Sequence, residues 1–242
     1  MTLREQEVAA VFAELTGGAA RDPLDTQTLL ATLAEGGRRL FHARGALVAY
    51  VPGGRTPLLT DGTDPSLGAL AADAARWGEG AGYDARTTGC ALVDVDVTTH
   101  SAQLRWPRWS PRAQALGFGR ATALPLHGRD EEIGALVLFT AADKPLDEEA
   151  LALVRLFAEV AGHTLTLQRE LNETQVLAGQ LEHALSSRVV VEQAKGILAA
   201  RHGLSLDEAF SGLRGYARSH RRKLADVARE VTEGRLLELL AQ

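Results

Sequence analysis

Apolar residues recur along the first half of the chain with two different periods. Up to residue 40 they follow the helical spacing i, i+3, i+4, i+7, as at Val8, Val11 and Leu15, and again from Leu29 onward. The pair Gly17 and Gly18 predicts the end of the first of these helices. From Gly45 the period shortens to that of strands. The strand-like segments are 46–51, 91–97, 121–126 and 133–139.

Turn signals separate these strand-like segments. The residues PGG at 52–54, EGAG at 79–82 and HGRDE at 127–131 are rich in the types that form turns. Short helical patterns interrupt the strands around 66–75 and 110–116. Strands joined by a hairpin turn and interspersed with helices predict an α+β domain, with an antiparallel sheet flanked by helices.

After Pro145 the pattern becomes helical over a much longer stretch. No proline occurs between 147 and about 201, and Leu171, Leu181 and Leu185 belong to a near-heptad apolar stripe. The stripe predicts one long helix, or two abutting ones, that leaves the globular domain and forms a coiled coil with a second copy. The protein is therefore expected to be a homodimer.

Three compact helical segments complete the chain. The first ends at HG (202–203), which is typical of a helix C-terminus, and SLDE (205–208) is a capping box that begins the second. RRK (221–223) ends the second, and the third follows. About 55 residues in three short helices form a minimal bundle with a small core.

The charge is distributed unevenly between the two halves of the chain. The net charge of −5 combines about −8 for residues 1–186 with about +3 for residues 187–242. Between 187 and 223 there are 8 basic residues and 3 acidic ones. A basic module on an acidic body suggests that the module binds a polyanion, although a solvated helical surface has the same charge count.

Composition excludes several classes of protein. One cysteine among 242 residues excludes an intramolecular disulfide and suits a reducing compartment. We find no signal sequence and no apolar run of the length that a membrane span needs, so a cytoplasmic protein without a membrane partner is expected. No catalytic constellation is visible and the histidines lack metal-ligand spacing, so we expect no enzyme.

Residues 181–231 closely resemble the ANTAR module. The matching motifs are SR (187–188), EQAKGIL (192–198), HG-LS--EAF (202–210), LR-YA (213–217) and RKL-DVA (222–228). The resemblance implies an RNA-binding transcription antiterminator, which dimerises through a preceding coiled coil and binds a two-hairpin leader RNA that keeps a terminator from forming.

Residues 26–170 resemble a GAF domain, a sensory fold. The motifs are ARGALVAYVPG (43–53), GEG (78–80), RWP-W (105–109) and LGF-RATALPLHGRDEEIGALVLF (116–139). The resemblance implies a small-molecule ligand. The predicted organisation is an N-terminal helix at 1–25, a GAF-like sensor domain at 26–170, a coiled-coil connector at 171–186 and a three-helix ANTAR module at 187–242.

Basic and aromatic residues of the last module are the candidates for RNA binding. We expect Arg188 and Lys195 on one outer helix face, where they bind phosphates and bury little area. Gly196, inside a helix, costs about 1 kcal/mol against alanine, which close helix packing or close approach of RNA would offset. Tyr216 is expected to stack on an unpaired base or to pack in the core. The remaining candidates are Arg214, Arg222 and Lys223.

Trp106 and Phe118 are the candidates for a ligand pocket in the sensor domain, although both side chains are equally suited to filling the core.

Two other functions remain open from the sequence. One is a DNA-binding regulator, because three short basic helices also suit the major groove. The other is a haem or redox sensor in which the ANTAR module serves only for dimerisation.

Overall fold

A computed structural model describes residues 3–21, 25–52, 58–141 and 145–236, with side chains in the first range described for 5–15. Parts of the predicted N-terminal helix (1–25), of the turn at 52–54 and of the last module (187–242) fall outside these residues.

The helices are α1 (Leu3–Arg21), α2 (Thr26–Leu40), α3 (Pro65–Trp77), α4 (Ala81–Thr88), α5 (His100–Arg105), α6 (Trp109–Ala115), α7 (Glu148–His202), α8 (Leu206–Ser219) and α9 (Leu224–Thr232). The strands are β1 (Gly45–Tyr50), β2 (Leu59–Gly62), β3 (Leu92–Asp96), β4 (Arg120–His127) and β5 (Glu132–Thr140).

The five strands form one antiparallel sheet in the order β2-β1-β5-β4-β3. Alternate residues of the central strands point to opposite faces, as the period of two requires. On β5, Leu136 and Leu138 belong to one core cluster, whereas Val137 and Phe139 belong to the other. Both faces of the sheet are therefore covered, which explains why β4 and β5 are buried almost throughout.

One face of the sheet is covered by α1, α2 and the first part of α7. Phe157 of α7 is fully buried there and makes edge-to-face contacts with Phe12 and Phe41. At Gly162 the helix lies so close to the sheet that an added Cβ would sit 2.5 Å from the carbonyl oxygen of His127. A glycine is therefore needed at this position of α7.

The other face is covered by the short helices α3 to α6. Its core is aromatic: Trp106 and Trp109 pack edge to face, and Phe118 stacks on Phe139 with ring centroids 4.5 Å apart. Buried Glu79 connects the turns on this side by accepting hydrogen bonds from the backbone amides of Arg108 and Trp109. Burial opposes ionisation of Glu79, but these bonds and the Arg108 guanidinium outweigh it and lower the pKa of the carboxyl.

The residues from Glu173 onward form a separate compact unit. Its core contains fully buried side chains from all three helices, namely Ala194 and Leu198 of α7, Leu213 of α8, and Val227 and Val231 of α9. α7 ends at a left-handed Gly203, and α8 begins with a complete capping box. Both signals for these helix ends are therefore confirmed.

The predicted fold class is confirmed: an antiparallel sheet flanked by helices precedes a long helix and shorter C-terminal helices. Three elements were not predicted, namely β2, α4 and α5. The predicted helix end at Gly17 and Gly18 was wrong, because α1 continues through both residues. The predicted turn at EGAG is present at its start but shorter than expected, because α4 begins inside this segment at Ala81. The predicted domain boundaries, at residues 25, 170 and 186, stay a prediction.

α7 also contains an 18-residue stretch that is long and apolar enough to cross a membrane by length and composition alone, with a mean hydropathy of 1.4. The expectation that no stretch of this kind occurs was therefore too strict. The apolar residues Val154, Phe157 and Leu165 of this helix are buried against the sheet. Burial of this kind is typical of a core helix in a water-soluble domain.

Candidate functional site

The C-terminal unit presents basic side chains that have no acidic partner among the described residues. Arg188 of α7, Arg214 of α8 and Lys223, which immediately precedes α9, are all exposed. Arg218, which the sequence analysis did not select, is also exposed and lies one turn after Arg214 on α8. Exposed, unpaired cations of this kind are available to phosphates without first breaking an internal ion pair.

Lys195 lies in a different environment from the one expected. Its Nζ donates to both carboxylate oxygens of Glu192, at 2.9 and 3.1 Å, and lies 5.4 Å from the ring centroid of Phe210. Only 15% of the side chain is exposed. The expectation of an outer-face side chain that buries little area was therefore wrong, because the lysine ammonium lies over the ring of Phe210 from α8.

Arg222 already forms an ion pair with an acidic residue of the same unit. Its two terminal nitrogens donate to the two carboxylate oxygens of Glu230, at 2.9 and 2.7 Å, and this ion pair joins the α8–α9 turn to α9. The hydrogen-bonded Glu230 carboxylate raises the pKa of the guanidinium. The main effect of a bidentate pair of this geometry is to position α9. Contact with RNA would require the Arg222 guanidinium to donate hydrogen bonds both to Glu230 and to a phosphate.

Tyr216 is half-buried and stacks on a residue that the sequence analysis missed. The rings of Tyr216 and His220 are 3.9 Å apart and nearly parallel, at 21°. The Nδ1 atom of His220 lies within hydrogen-bond distance of the Tyr216 carbonyl oxygen and of the Ser219 hydroxyl. The i, i+4 spacing of Tyr216 and His220 at the end of α8 is the signal that would have found the pair.

Gly196 is exposed on α7, and a Cβ added there would meet nothing within 4 Å. Packing within the described part of the chain therefore does not explain the glycine. Gly179 on the same helix and Gly215 on α8 are equally open. Contact with a ligand or with a second copy at this face of α7 would offset the helical cost of Gly196.

Trp106 and Phe118, the predicted ligand-binding residues, are core residues. The indole Nε1 of Trp106 donates to Asp84 at 3.0 Å, and Phe118 is buried against Phe139. Neither lines the small cavity that the structure has on this side of the sheet. Their large rings fill the space between sheet and helices, so the predicted pocket at these two residues is not formed.

A cavity of about 80 Å³ lies nearby, between the sheet and helices α3, α4 and α6. Its walls include Leu47, Val137, Phe139 and Trp109. Apart from the Trp109 indole, the polar side chains that the described residues contribute to the lining are Tyr83 and Arg86 of α4. Neither residue was a candidate from the sequence, because EGAG is typical of a turn and no helical pattern was recognised after it.

Two family models match the chain. One describes the GAF domain and matches residues 23–166, and the other describes the ANTAR domain and matches residues 179–231. Both are regulatory domains, and a GAF domain followed by an ANTAR output domain fits a regulator of the antiterminator kind.

Solved structures agree on the fold of the N-terminal unit. The GAF domain of a phosphoenolpyruvate-protein phosphotransferase from Acinetobacter is 10% identical, with a TM-score of 0.51 over 72% of this chain and 99% of that chain. The GAF domain of the enzyme of the same name from Coxiella burnetii is 14% identical, with a TM-score of 0.50 over 71% and 99%. At these identities the likeness concerns the fold alone.

No curated protein matches the chain. The GAF model nevertheless covers more than half of it, including the whole five-stranded sheet. The chain therefore belongs to the GAF domain family and has an ANTAR domain at its C-terminal end.

Proposed function

We propose that this protein is a signal-responsive, RNA-binding transcription antiterminator that acts as a cytoplasmic homodimer. In this proposal the GAF domain senses a small molecule, and the ANTAR domain binds a two-hairpin leader RNA. The observation that supports it most directly is a set of exposed cations in the ANTAR domain that have no acidic partner in the described part of the chain, represented by Arg188, Arg214 and Lys223.

The electrostatic part of the proposal follows from these cations. Each side chain that neutralises a phosphate releases a counterion, so the affinity falls as salt rises. A homodimer doubles the number of such cations. We therefore expect affinity for a two-hairpin RNA to fall on the order of 10³-fold between about 50 and 200 mM salt.

Arg214→Gln should weaken RNA binding about 10-fold and reduce the salt dependence, because it removes an unpaired cation from α8. The measurement is fluorescence anisotropy of a labelled two-hairpin RNA chosen from transcripts that co-purify with the protein. Arg229→Gln is the matched control, since Arg229 is exposed on α9 but already pairs with Asp226 at 3.5 Å. Equal loss in both variants, or equal competition by duplex DNA, would contradict the proposal.

The homodimer is supported by apolar residues on α7 that are largely exposed to solvent. Leu181, Leu185 and Val189 are 57%, 66% and 53% exposed, and their spacing of four places them along one side of the helix. Exposed leucines on a helix favour burial against a second apolar helix. A second copy supplies that helix in the same register.

The double substitution Leu181→Gln with Leu185→Gln should convert the dimer to a monomer at about 10 μM protein, because it removes the apolar surface that the second copy buries. Sedimentation velocity measures the change. Val176→Gln is the control: Val176 is 61% exposed, but five residues before Leu181 it lies on the opposite side of α7. A monomeric wild-type protein at this concentration would rule out the proposed dimer.

A further inference from the structure

The chemical class of the sensed molecule can be inferred from the cavity beside α4, on the basis of the proposed sensory function. Most of the cavity wall is aliphatic or aromatic, with Leu47 and Val137 from the sheet and Ala74 from α3. An apolar wall of this kind favours a hydrocarbon group over a sugar or a phosphate.

The size of the cavity limits the ligand further. Its volume is about 80 Å³, whereas a cavity of about 150 Å³ accommodates benzene and sites for drug-sized molecules begin at about 300 Å³. On this scale about three or four carbon atoms fit. A nucleotide, a haem or a bilin is therefore too large for the cavity in this conformation.

Among the described residues of the lining, Arg86 supplies the one full charge. Its guanidinium carbon lies 5.6 Å from the ring centroid of Tyr83, and no carboxylate among the described residues pairs with it. The nearby Asp84 carboxylate already has other partners, since it accepts hydrogen bonds from Arg105 and from the Trp106 indole. A charged side chain left unpaired beside an apolar cavity favours an anionic ligand.

The other four arginines within residues 65–115 make the contrast clear, because each of them has a carboxylate partner. The pairs are Arg76 and Arg112 with Asp73, Arg105 with Asp84, and Arg108 with Glu79. Arg86 differs from these four in lining the cavity and in lacking an acid. Its partner is therefore expected to come from the ligand.

We propose that this cavity binds a short-chain monocarboxylate of about three or four carbons. The alkyl chain packs against Leu47, Val137 and Phe139, and the carboxylate accepts hydrogen bonds from the Arg86 guanidinium. A planar guanidinium donates two parallel hydrogen bonds to a carboxylate, which fixes the orientation of so small a ligand.

The test is calorimetric titration of the full-length protein with sodium propionate and sodium butyrate at constant ionic strength. Ligand efficiency limits so small a molecule to a Kd of about 1 μM at best, so we expect a value between about 10 μM and 1 mM. Three related compounds should bind at least about 10-fold more weakly than butyrate. 1-Butanol lacks the negative charge, butylammonium has a positive charge instead, and octanoate has an alkyl chain too long for the cavity. Equal binding of 1-butanol would overturn the role of Arg86, and no binding of either carboxylate would overturn the proposal.

Two variants locate the site and one controls for charge. Arg86→Gln should weaken butyrate binding at least about 10-fold, and Ala49→Val, which adds two methyl groups to the lining, should abolish it without loss of thermal stability. Arg76→Gln, which removes an exposed and paired arginine of α3, should leave binding unchanged. Unchanged binding in Ala49→Val would place the carboxylate elsewhere and overturn the proposal.

The same samples separate this inference from the proposed function. RNA affinity is measured by anisotropy for each variant without carboxylate. If RNA binds with the expected salt dependence while propionate and butyrate do not bind, the ligand class is wrong and the antiterminator proposal stands. If the carboxylates bind and RNA does not, the ligand class stands and the RNA-binding proposal is wrong.

Discussion

Gly162→Ala should lower the free energy of unfolding of the GAF domain by about 1–2 kcal/mol. The Cβ would lie 2.5 Å from the carbonyl oxygen and 3.0 Å from the amide nitrogen of His127, and both atoms belong to the backbone of β4. Backbone cannot move aside as a flexible side chain can, so α7 must shift away from the sheet. Overpacking of this kind costs about 1–3 kcal/mol and exceeds the gain of about 1 kcal/mol in helix propensity.

Tryptophan fluorescence measures this change in the intact chain, because Trp77, Trp106 and Trp109 all lie in the GAF domain. The midpoint of thermal unfolding should fall by about 2–8 °C. Gly179→Ala is the matched control, since Gly179 lies on the same helix and its Cβ would meet nothing within 4 Å. An unchanged tryptophan transition in Gly162→Ala would show that α7 does not need this close contact with β4.

The sheet was predictable because its central strands are buried on both sides and contain little else than apolar residues. β4 and β5 are joined by the predicted hairpin turn, in which the Gly128 amide donates to the Glu131 carbonyl oxygen at 2.8 Å. β2 was missed because its sequence, LTDG, has one large apolar residue in four positions. Its pairing with β1 and its contact with α2, rather than its own pattern, make it a strand.

α4 shows the converse problem, a helix that follows a segment with the composition of a turn. Gly78 and Gly80 do have positive φ angles, at 67° and 118°, so a turn is formed before the helix begins at Ala81. The sequence located the turn but not its end. Because Tyr83 and Arg86 lie on this helix, the cavity lining was missed together with it.

The site residues show where spacing stops being informative. Helical periodicity places Lys195 one turn after Glu192, with which it pairs, but it carries no information on Phe210, which reaches the lysine from another helix. Likewise Arg222 looked available because Glu230 is eight residues away. A side chain from a different helix decides whether a basic residue stays exposed or forms an internal ion pair or ring contact. A single sequence does not specify which side chains meet in this way.

Gly196→Ala should abolish most RNA binding while making the ANTAR helix more stable. Alanine at this open position gains up to about 1 kcal/mol in helix propensity and meets no atom of the described chain. If RNA offsets the cost of the glycine, its backbone must approach the helix closely at Gly196, and a methyl group there keeps it away. We expect RNA affinity to fall at least about 10-fold, measured by anisotropy, with a higher midpoint of unfolding by far-UV circular dichroism.

Two comparisons decide what lies against Gly196. Gly179→Ala, which is equally open but lies outside the predicted RNA-binding residues, should gain the same stability and keep full RNA affinity. Val189 lies seven residues before Gly196, on the same side of α7, so a second copy is the competing explanation. A Gly196→Ala protein that stays dimeric by sedimentation but no longer binds RNA places the RNA against Gly196. If the substitution instead weakens the dimer, the glycine serves close packing between two copies, and the RNA-binding surface must be sought at Arg188 and Arg214.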